Sequence, residues 1–261
     1  MNIKTLYIKE VESTNDYLWR YRPAEGEDMT VAWTDFQSAG RGCGTNRWES
    51  EKGKNLTFSL LVHPQGIPAE KQFILSMANA VALKQTLDEY VGDVRIKWPN
   101  DIYWRNKKLC GTLIESRLCG KHIKDCIIGT GINVNQQNFC GDAPNPVSIC
   151  QIVGHETERE EMLQRFVRCW VAYLKKLDRG EWEEVRNIYR ASLYWKGERH
   201  KFRHLDGREA VYTLEDVEDD GHLVLGKSCG AGEKMLSKYA FKEIQYVIDE
   251  QWTMPGAKNN G

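Results

Sequence analysis

Short apolar runs, separated by polar stretches and rich in β-branched and aromatic residues, recur along the first half of the chain and predict β-strands. Strands are predicted at residues 5–11, 30–36, 55–63, 93–98 and 125–135, the last one interrupted by Gly129 and Gly131. Residues 101–116 are predicted to form a hairpin with its turn at 105–107.

Apolar residues at helical spacing occur between and after these strands. Helices are predicted after Ser13 and over residues 68–90, 157–178 and 181–193. Ser13 with Asp16, and Thr157 with Glu160, have the spacing of a capping box at a helix start. Residues 139–150 are rich in turn residues and are predicted to be a connector. The first 195 residues therefore combine strands and helices.

The pattern changes near residue 196, where short runs are separated by the turn dipeptides Asp206-Gly207 and Asp220-Gly221. A stretch of about 55 residues of this kind predicts a small β-barrel or sandwich, near the lower size limit of a domain that folds alone. The expected division is a larger domain over residues 1–195, a β-domain over 196–250 and a disordered tail over 251–261.

The composition narrows the function classes. The chain has 261 residues and a formal net charge of -1, so no general attraction to nucleic acid or membranes is expected. Its eight cysteines form no CxxC pair, which favours reduced thiols in a cytoplasmic protein. The N-terminus has no apolar signal-peptide region, and no run approaches membrane-spanning length. A local basic cluster is still able to bind one small anion.

Residues 37–48, QSAGRGCGTNRW, form a glycine-rich loop between two predicted strands. Its glycines allow backbone N–H groups to approach a ligand, and Arg41 and Arg47 carry guanidinium groups suited to phosphate or carboxylate. Trp48 offers a flat apolar surface. A flexible hairpin with solvated arginines explains the spacing equally well. The loop itself does not contain a Walker A sequence.

A second segment, residues 97–111, concentrates charge and turn residues at the end of a predicted strand. Asp101 follows the Pro99-Asn100 turn, at a position suited to hold a magnesium ion or to polarise an amine. Lys108 follows the hairpin turn, and Gly111 interrupts an apolar run, as expected where a ligand approaches the backbone. Taken alone, the segment is explained more simply by solvated lysines and a capping aspartate.

Five segments occur together in a fixed order: ESTN, QSAGRG with a following tryptophan, KWPND, KKLCG and IGTGINVN. In this combination, over about residues 5–135, the chain resembles the biotin protein ligases. The resemblance implies an α+β fold, with a mixed-sheet biotin/lipoate ligase-like catalytic domain and a small C-terminal SH3-like β-barrel domain. It also implies an enzyme that uses ATP and Mg²⁺ to convert biotin to biotinyl-5'-AMP, and then transfers biotin to a lysine of a biotin carboxyl carrier protein.

The resemblance assigns roles to individual residues. The catalytic residues would be Lys108, Arg41 and Asp101, with Asp101 also near the metal. The biotin-binding residues would be Ser13, Thr14, Asn15, Gln37, Arg41, Gly42, Cys43, Trp48, Lys108, Gly111, Gly129 and Thr130. The nucleotide-binding residues would be Arg41, Arg47, Lys97, Asn100, Asp101 and Asn133.

Two features depart from the family pattern. Many members carry a second arginine in the glycine-rich loop where this chain has Cys43, so the loop is expected to close less firmly over the adenylate. The catalytic pattern begins within the first ten residues, so no helix-turn-helix is expected before Ser13. DNA is therefore not an expected partner.

Other interpretations stay open. A lipoate ligase or octanoyl transferase has a related fold and chemistry, and pocket shape does not follow from sequence. A non-catalytic nucleotide- or RNA-binding module would also use a glycine-rich loop, although the neutral net charge counts against it. A homodimer is possible, since an exposed sheet edge suits either a second subunit or the carrier protein.

Overall fold

The computed structural model describes residues 1–141, 145–230 and 233–248, which form two β-sheets and their surrounding helices. The predicted tail over 251–261 lies outside these residues. Among the described residues, no helix combines the length and the apolar character needed to cross a bilayer.

A seven-stranded mixed sheet forms the larger part of the fold. Its strands are β1 (Ile3–Val11), β2 (Met29–Gln37), β3 (Leu56–Val62), β4 (Val94–Lys97), β5 (Asp101–Trp104), β6 (Lys107–Cys119) and β7 (His122–Ile132). Their order is β1-β2-β3-β7-β6-β5-β4; β1 and β2 are parallel, and the other neighbours are antiparallel. The expected α+β fold with a mixed sheet is confirmed.

Helices cover both faces of this sheet. They are α1 (Thr14–Arg20), α2 (Phe73–Val91), α3 (Ile149–Val153), α4 (Arg159–Asp178) and α5 (Glu183–Ala191). On β3, Leu60 belongs to the core formed with α2 and α4, whereas Leu61 packs against Leu18 of α1. Because successive side chains of a strand point to opposite faces, α1 lies on the face opposite α2 and α4.

The C-terminal part is a five-stranded antiparallel sheet. Its strands are β8 (Arg199–His204), β9 (Glu209–Val217), β10 (Leu223–Gly230), β11 (Glu233–Tyr239) and β12 (Ile244–Tyr246). The predicted turns hold Gly207 and Gly221 at positive φ, a region that glycine adopts without strain. The order is β11-β10-β9-β8-β12, and within the described residues β11 and β12 do not pair. The β-domain is therefore confirmed, but as an open sheet and not as the expected closed barrel.

One hydrophobic core extends under both sheets. It includes Trp98 beside the mixed sheet and Phe202 of β8, both buried. The Trp98 indole N–H also donates a hydrogen bond to the carbonyl of Gly221, at 2.8 Å. The two sheets thus pack firmly together at the end of β4.

The helices form where they were predicted, but α2 and α4 start later than predicted. α2 begins at Phe73 and not at residue 68, because Ala69–Lys71 form a separate 3-10 turn. Ser13 caps α1 and accepts a hydrogen bond from the Asp16 backbone N–H at 3.3 Å. The predicted cap at Thr157 is wrong, because α4 begins at Arg159 with no side-chain cap. The Thr157 N–H instead donates to Asn135 Oδ1 at 2.8 Å. The predicted connector also contains the start of α3, which Ser148 caps.

The predicted interruption of the fifth strand at Gly129 and Gly131 is wrong. β7 runs through both glycines and pairs with β3 on one side and with β6 on the other. A glycine removes a side chain but keeps both backbone hydrogen-bonding groups, so the ladder continues. The two positions instead leave the sheet surface bare, and this shapes the site described next.

Candidate active site

A cleft of about 1020 Å³ opens between the α1 face of the mixed sheet and the C-terminal sheet. Its base is formed by Gly111 of β6 with Gly129 and Gly131 of β7, called here the glycine floor. Gly111 and Gly131 are directly paired, and Gly129 lies two residues along the same face. Side chains from the neighbouring strands, the glycine-rich loop and the C-terminal sheet form the walls.

The glycine floor is in contact with two side chains predicted to bind ligand. A Cβ on Gly131 would overlap the Trp48 indole, and a Cβ on Gly129 would overlap the Asn15 amide. A Cβ on Gly111 would lie 3.2 Å from Trp48 and 3.3 Å from Lys108. The sheet surface therefore admits flat groups only because these positions lack side chains.

One end of the cleft carries a hydrogen-bonded group of uncharged polar side chains. Gln37 Oε1 accepts hydrogen bonds from the Thr14 backbone N–H at 2.7 Å and from the Thr14 hydroxyl at 2.9 Å. Ser59 Oγ lies 2.6 Å from both Thr14 Oγ1 and Asn15 Oδ1. These partners fix the rotamers of Thr14 and Asn15, so the hydroxyls and amide stand ready for a small polar ring.

Arg41 is held by two carboxylates on the α1 face. Its guanidinium donates to both Glu115 oxygens at 3.0 and 2.8 Å and to Asp16 Oδ1 at 2.8 Å. Glu115 Oε2 also accepts from the Asn15 amide at 2.8 Å. Arg41 is thus neutralised by acidic neighbours and must exchange partners before it can bind an anionic ligand.

The glycine-rich loop is an ordered hairpin. The Gly42 N–H donates to the Asn46 carbonyl at 2.8 Å, and the Trp48 N–H donates to the Gly40 carbonyl at 3.0 Å. Trp48 Nε1 is buried and has no hydrogen-bond partner among the described residues. An unpaired buried N–H costs about 1–3 kcal/mol, so an acceptor on a bound ligand would be favoured there.

The loop carries Cys43 and Arg47 in different environments. Cys43 is half-buried, and burial raises the pKa of its thiol, so the thiol is uncharged at neutral pH. Arg47 is exposed and lines the cleft. Position 43 itself therefore adds no positive charge to the loop.

Lys108 and Asp101 form an ion pair at the edge of the glycine floor. Lys108 Nζ lies 2.8 Å from Asp101 Oδ1, and both side chains are largely shielded, with 20% and 19% exposure. The Asn100 amide donates to the Thr112 carbonyl, and the Asn133 amide donates to the Lys108 carbonyl at 3.3 Å. The two asparagines thus hold the backbone that carries the charged pair.

Lys97 lies at the end of β4 between two tyrosine rings. Its ammonium is 4.5 Å from the ring centroid of Tyr246 and 5.3 Å from that of Tyr103. Burial lowers the pKa of Lys97, and the negative charge of Asp101 opposes this effect only in part. Lys97 therefore links the mixed sheet to the C-terminal sheet by cation–π contacts.

The structure brings together the side chains or backbones of all the predicted site residues. Each one lines the cleft, from Ser13 at one end to Asn133 at the other. Thr130 is a special case, because strand alternation places its side chain on the α2 face, next to Thr112 and Asn79. Only the Thr130 backbone faces the cleft, and the roles of these residues stay predictions.

Sequence reasoning missed several residues of the site. Ser59 completes the polar group, and Glu115 connects Asn15 to Arg41. Glu115 had a visible signal, since a lone carboxylate in an otherwise apolar strand needs a partner. Ser59 had none, because a serine in a buried strand does not differ from other small core residues.

Comparison with known proteins identifies the family. The profile of the Biotin/lipoate A/B protein ligase family matches residues 7–133. The bifunctional ligase/repressor BirA of Bacillus subtilis is 31% identical over 226 residues, which cover 84% of this chain and 68% of that relative. The chain belongs to the biotin/lipoate A/B protein ligase family. The resemblance found in the sequence motifs is confirmed.

Other members of the biotin/lipoate A/B protein ligase family match most of the chain. The biotin--[acetyl-CoA-carboxylase] ligase of Paracoccus denitrificans is 29% identical over 231 residues, covering 85% of this chain and 94% of that relative. A solved structure of the biotin protein ligase from Aquifex aeolicus, in complex with biotin and ATP, superimposes with a TM-score of 0.76. It is 24% identical and covers 94% of this chain and 99% of its own, which supports the fold.

Proposed function

We propose that this protein is an ATP-dependent biotin protein ligase, which forms biotinyl-5'-AMP and then biotinylates a lysine of a biotin carboxyl carrier protein. One observation carries the proposal. A single cleft holds an uncharged polar group at one end, the glycine floor in the middle and the Lys108–Asp101 pair at its edge. The relatives from Bacillus subtilis and Paracoccus denitrificans are named as ligases, which agrees with this chemistry.

The polar group suits the ureido ring of biotin. A ureido group has one carbonyl and two N–H groups, and Thr14 and Asn15, which line the cleft, offer a hydroxyl and an amide for both kinds of hydrogen bond. The buried Ser59 holds both side chains from behind. The glycine floor and Trp48 provide a flat apolar surface for the fused ring and the aliphatic chain. The biotin carboxylate would then extend towards Lys108.

The first step joins two anions. A carboxylate oxygen of biotin attacks the α-phosphorus of ATP and forms a new O–P bond. The bond between the α-phosphorus and the oxygen that bridges to the β-phosphate breaks, and pyrophosphate leaves. Lys108 would neutralise the carboxylate and the developing phosphate charge, and Arg41 and Lys97 would add positive potential. Each charge-assisted hydrogen bond contributes about 1.5–3 kcal/mol, enough to offset much of the repulsion.

Magnesium fits this cleft only as a metal that enters with the nucleotide. Among the described residues, no group of three or more histidine, cysteine or acidic side chains is arranged to hold a metal. Mg²⁺ in nucleotide sites is commonly bound by one or two carboxylates together with phosphate oxygens, and Asp101 supplies one. The metal would neutralise phosphate charge, while Lys108 would be released from Asp101 to bind the carboxylate.

The second step transfers the acyl group. The carrier lysine attacks the carbonyl carbon of the mixed anhydride, an N–C bond forms, and AMP leaves. An ordinary lysine, with a pKa of about 10.4, is neutral in only about 0.04% of molecules at pH 7. Asp101 would attract the ammonium and accept its proton as the bond forms.

The proposed reaction implies a protein partner and a location. The carrier protein is the acyl acceptor, and ATP from the cytoplasm is the energy source, so we place the reaction in the cytoplasm. A homodimer is a further candidate assembly, because β1 is an outer strand of the mixed sheet and pairs with β2 on one side only. Gel filtration of the free chain would test it.

The decisive test is pyrophosphate release from ATP and Mg²⁺ with and without biotin, followed by labelling of a purified carrier domain. We expect release to depend on biotin, and Lys108→Ala to reduce it about 10²–10³-fold, as for the loss of one preorganised charge-stabilising group. The same assay with lipoic acid in place of biotin tests the alternative that the protein is a lipoate-type acyl-protein ligase. Release that depends on lipoate, or on neither acid, would overturn the proposal.

A further inference from the structure

Lys242 reaches the glycine-rich loop from the C-terminal sheet. It lies in the turn between β11 and β12 and lines the cleft. Its ammonium occupies the place that a Cβ on Gly44 would take, so the two chain segments touch directly. Gly44 itself has a φ of +71°, which allows the loop to bring its bare backbone to this point.

The turn that carries Lys242 is held in place by its neighbours. Glu243 accepts a hydrogen bond from the Ala240 N–H at 2.7 Å, and the Phe241 ring packs edge-on against Trp98, with centroids 6.2 Å apart. Lys242 adopts a φ of +72°, a conformation that a lysine seldom adopts without support from its surroundings. The ammonium is thus presented to the loop by a turn of defined shape.

No carboxylate within the described chain forms an ion pair with the Lys242 ammonium. Its charge acts on the Cys43 thiol together with the charges of Asp101 and Lys108, so all four groups lie in one region of the cleft. Asp101 is already paired with Lys108. The ammonium also lies 5.8 Å from the ring centroid of its neighbour Phe241, a contact that leaves its charge in place. That positive charge beside the Gly44 backbone favours an anion.

The loop itself lacks a free cation at this place. Position 43 is an uncharged cysteine, and Arg41 is engaged by Glu115 and Asp16. Arg47 and Lys242 are both exposed and both line the cleft, but only Lys242 reaches Gly44, the residue after Cys43, from the C-terminal sheet.

We propose that Lys242 binds a phosphate group of the nucleotide and supplies the positive charge that the loop lacks at Cys43. The choice of a nucleotide as ligand rests on the proposed function. The C-terminal sheet then forms one wall of the phosphate subsite, and bound phosphate bridges Lys242 to the glycine-rich loop. Closure of the cleft and binding of the nucleotide become linked through this side chain.

The test measures nucleotide affinity directly, by displacement of a fluorescent ATP analogue from the full chain in the presence of Mg²⁺. ATP and adenosine are compared as competitors for the parent protein, Lys242→Ala and Lys242→Arg. Lys227→Ala is the matched control, because Lys227 is exposed on β10 in the same sheet but does not line the cleft.

We expect Lys242→Ala to weaken ATP binding about tenfold, as for loss of one partly exposed charge-assisted hydrogen bond, and to leave adenosine binding within about twofold. Lys242→Arg should stay within about threefold of the parent, and Lys227→Ala should match the parent. Unchanged ATP affinity in Lys242→Ala would overturn the proposal, and so would an equal loss for adenosine.

Pyrophosphate release separates this proposal from the proposed function. If the parent binds ATP but releases no pyrophosphate on addition of biotin, the ligase assignment fails, while the affinities still decide the role of Lys242. A parent chain that does not displace the ATP analogue with ATP overturns both.

Discussion

Lys108 Nζ and Asp101 Oδ1 are 2.8 Å apart at the edge of the glycine floor, and each neutralises the other. An incoming carboxylate or phosphate therefore competes with Asp101 for the same ammonium. When the ligand takes Lys108, Asp101 is freed to interact with a metal or with an attacking amine. The pair can thus serve both steps of the proposed reaction with the same two side chains.

Asp101→Ala is expected to slow acyl transfer from preformed biotinyl-5'-AMP to a carrier domain by about 10²-fold, the usual effect of losing a general base. The measurement is single-turnover labelling of the carrier, which bypasses adenylate formation. Glu25→Ala, which removes an exposed carboxylate that does not line the cleft, is the control. Transfer at the parent rate in Asp101→Ala would show that this carboxylate does not assist the amine.

Gly131→Ala is expected to weaken biotin binding more than Gly111→Ala does. The new methyl at 131 overlaps the Trp48 indole, whereas the one at 111 lies 3.2 Å from it and needs only a small shift. Overpacking of this kind costs about 1–3 kcal/mol, or roughly 5- to 150-fold in affinity. Calorimetric titration with biotin gives both affinities, and equal losses would contradict the prediction.

Glu115→Gln is expected to release Arg41 and to loosen the glycine-rich loop. Arg41 makes two hydrogen bonds to Glu115 and one to Asp16, so Asp16→Asn should have the smaller effect. Trypsin cleaves after arginine, and the rate of cleavage at Arg41 reports how often the loop opens. We expect cleavage at Arg41 to be fastest in Glu115→Gln, slower in Asp16→Asn and slowest in the parent protein. The same rate in all three proteins would refute the role of the two carboxylates in holding the loop.

Cys43→Arg is expected to retain biotinyl-5'-AMP longer than the parent protein. The buried, uncharged thiol offers no attraction to phosphate, whereas an arginine at this position would add a bidentate donor. The measurement is the loss of radiolabelled adenylate from the protein after rapid desalting. Cys43→Ser, which changes the group without adding charge, should behave like the parent, and equal retention in all three would contradict the prediction.

Lys97→Met is expected to stabilise the fold, most at neutral pH and less as the pH rises towards about 10. Burial lowers the folded-state pKa of Lys97 below its unfolded value of about 10.4. Between these two values the unfolded chain binds more protons, so the stability of the parent rises with pH. Methionine removes this dependence.

Urea unfolding of parent and variant between pH 7 and pH 9.5 measures the Lys97 effect. Lys227→Met, at an exposed site, is the control and should keep the pH profile of the parent. If the free energy of unfolding of the parent exceeds that of Lys97→Met, and by more at neutral pH than at pH 9.5, the cation–π contacts outweigh the cost of burying the ammonium.

The sequence predicted most elements of the mixed sheet because their strands are rich in β-branched and aromatic residues. Ser13 and the turns at Gly207 and Gly221 were predictable for a local reason, since capping and positive φ depend on one or two residues. The start of α4 was not predictable, because the Thr157 N–H donates a tertiary hydrogen bond to Asn135 Oδ1 and Thr157 does not cap the helix. The division at residues 195 and 196 stays a prediction.

The residues of the candidate site were predictable where they belong to short sequence motifs of the family. They were not predictable where their role depends on a hydrogen-bond partner that is distant in sequence. The motifs assigned Lys108 and Asp101 to one site, and the two residues are seven positions apart in sequence. Glu115 showed only the signal of a lone carboxylate in an apolar strand, and the partners of Glu115 and Ser59 depend on strand register, which sequence does not specify. Thr130 lies in β7 with its side chain on the α2 face, so only its backbone faces the cleft.

The shared core beneath the two sheets has a consequence for protein engineering. Truncation of the chain at the end of α5 would remove the residues that bury Trp98 and its neighbours, and would leave an exposed apolar surface that is prone to aggregation. Fusion partners are better attached away from the contact between the two sheets. If the protein were divided there, neither half would keep a complete hydrophobic core.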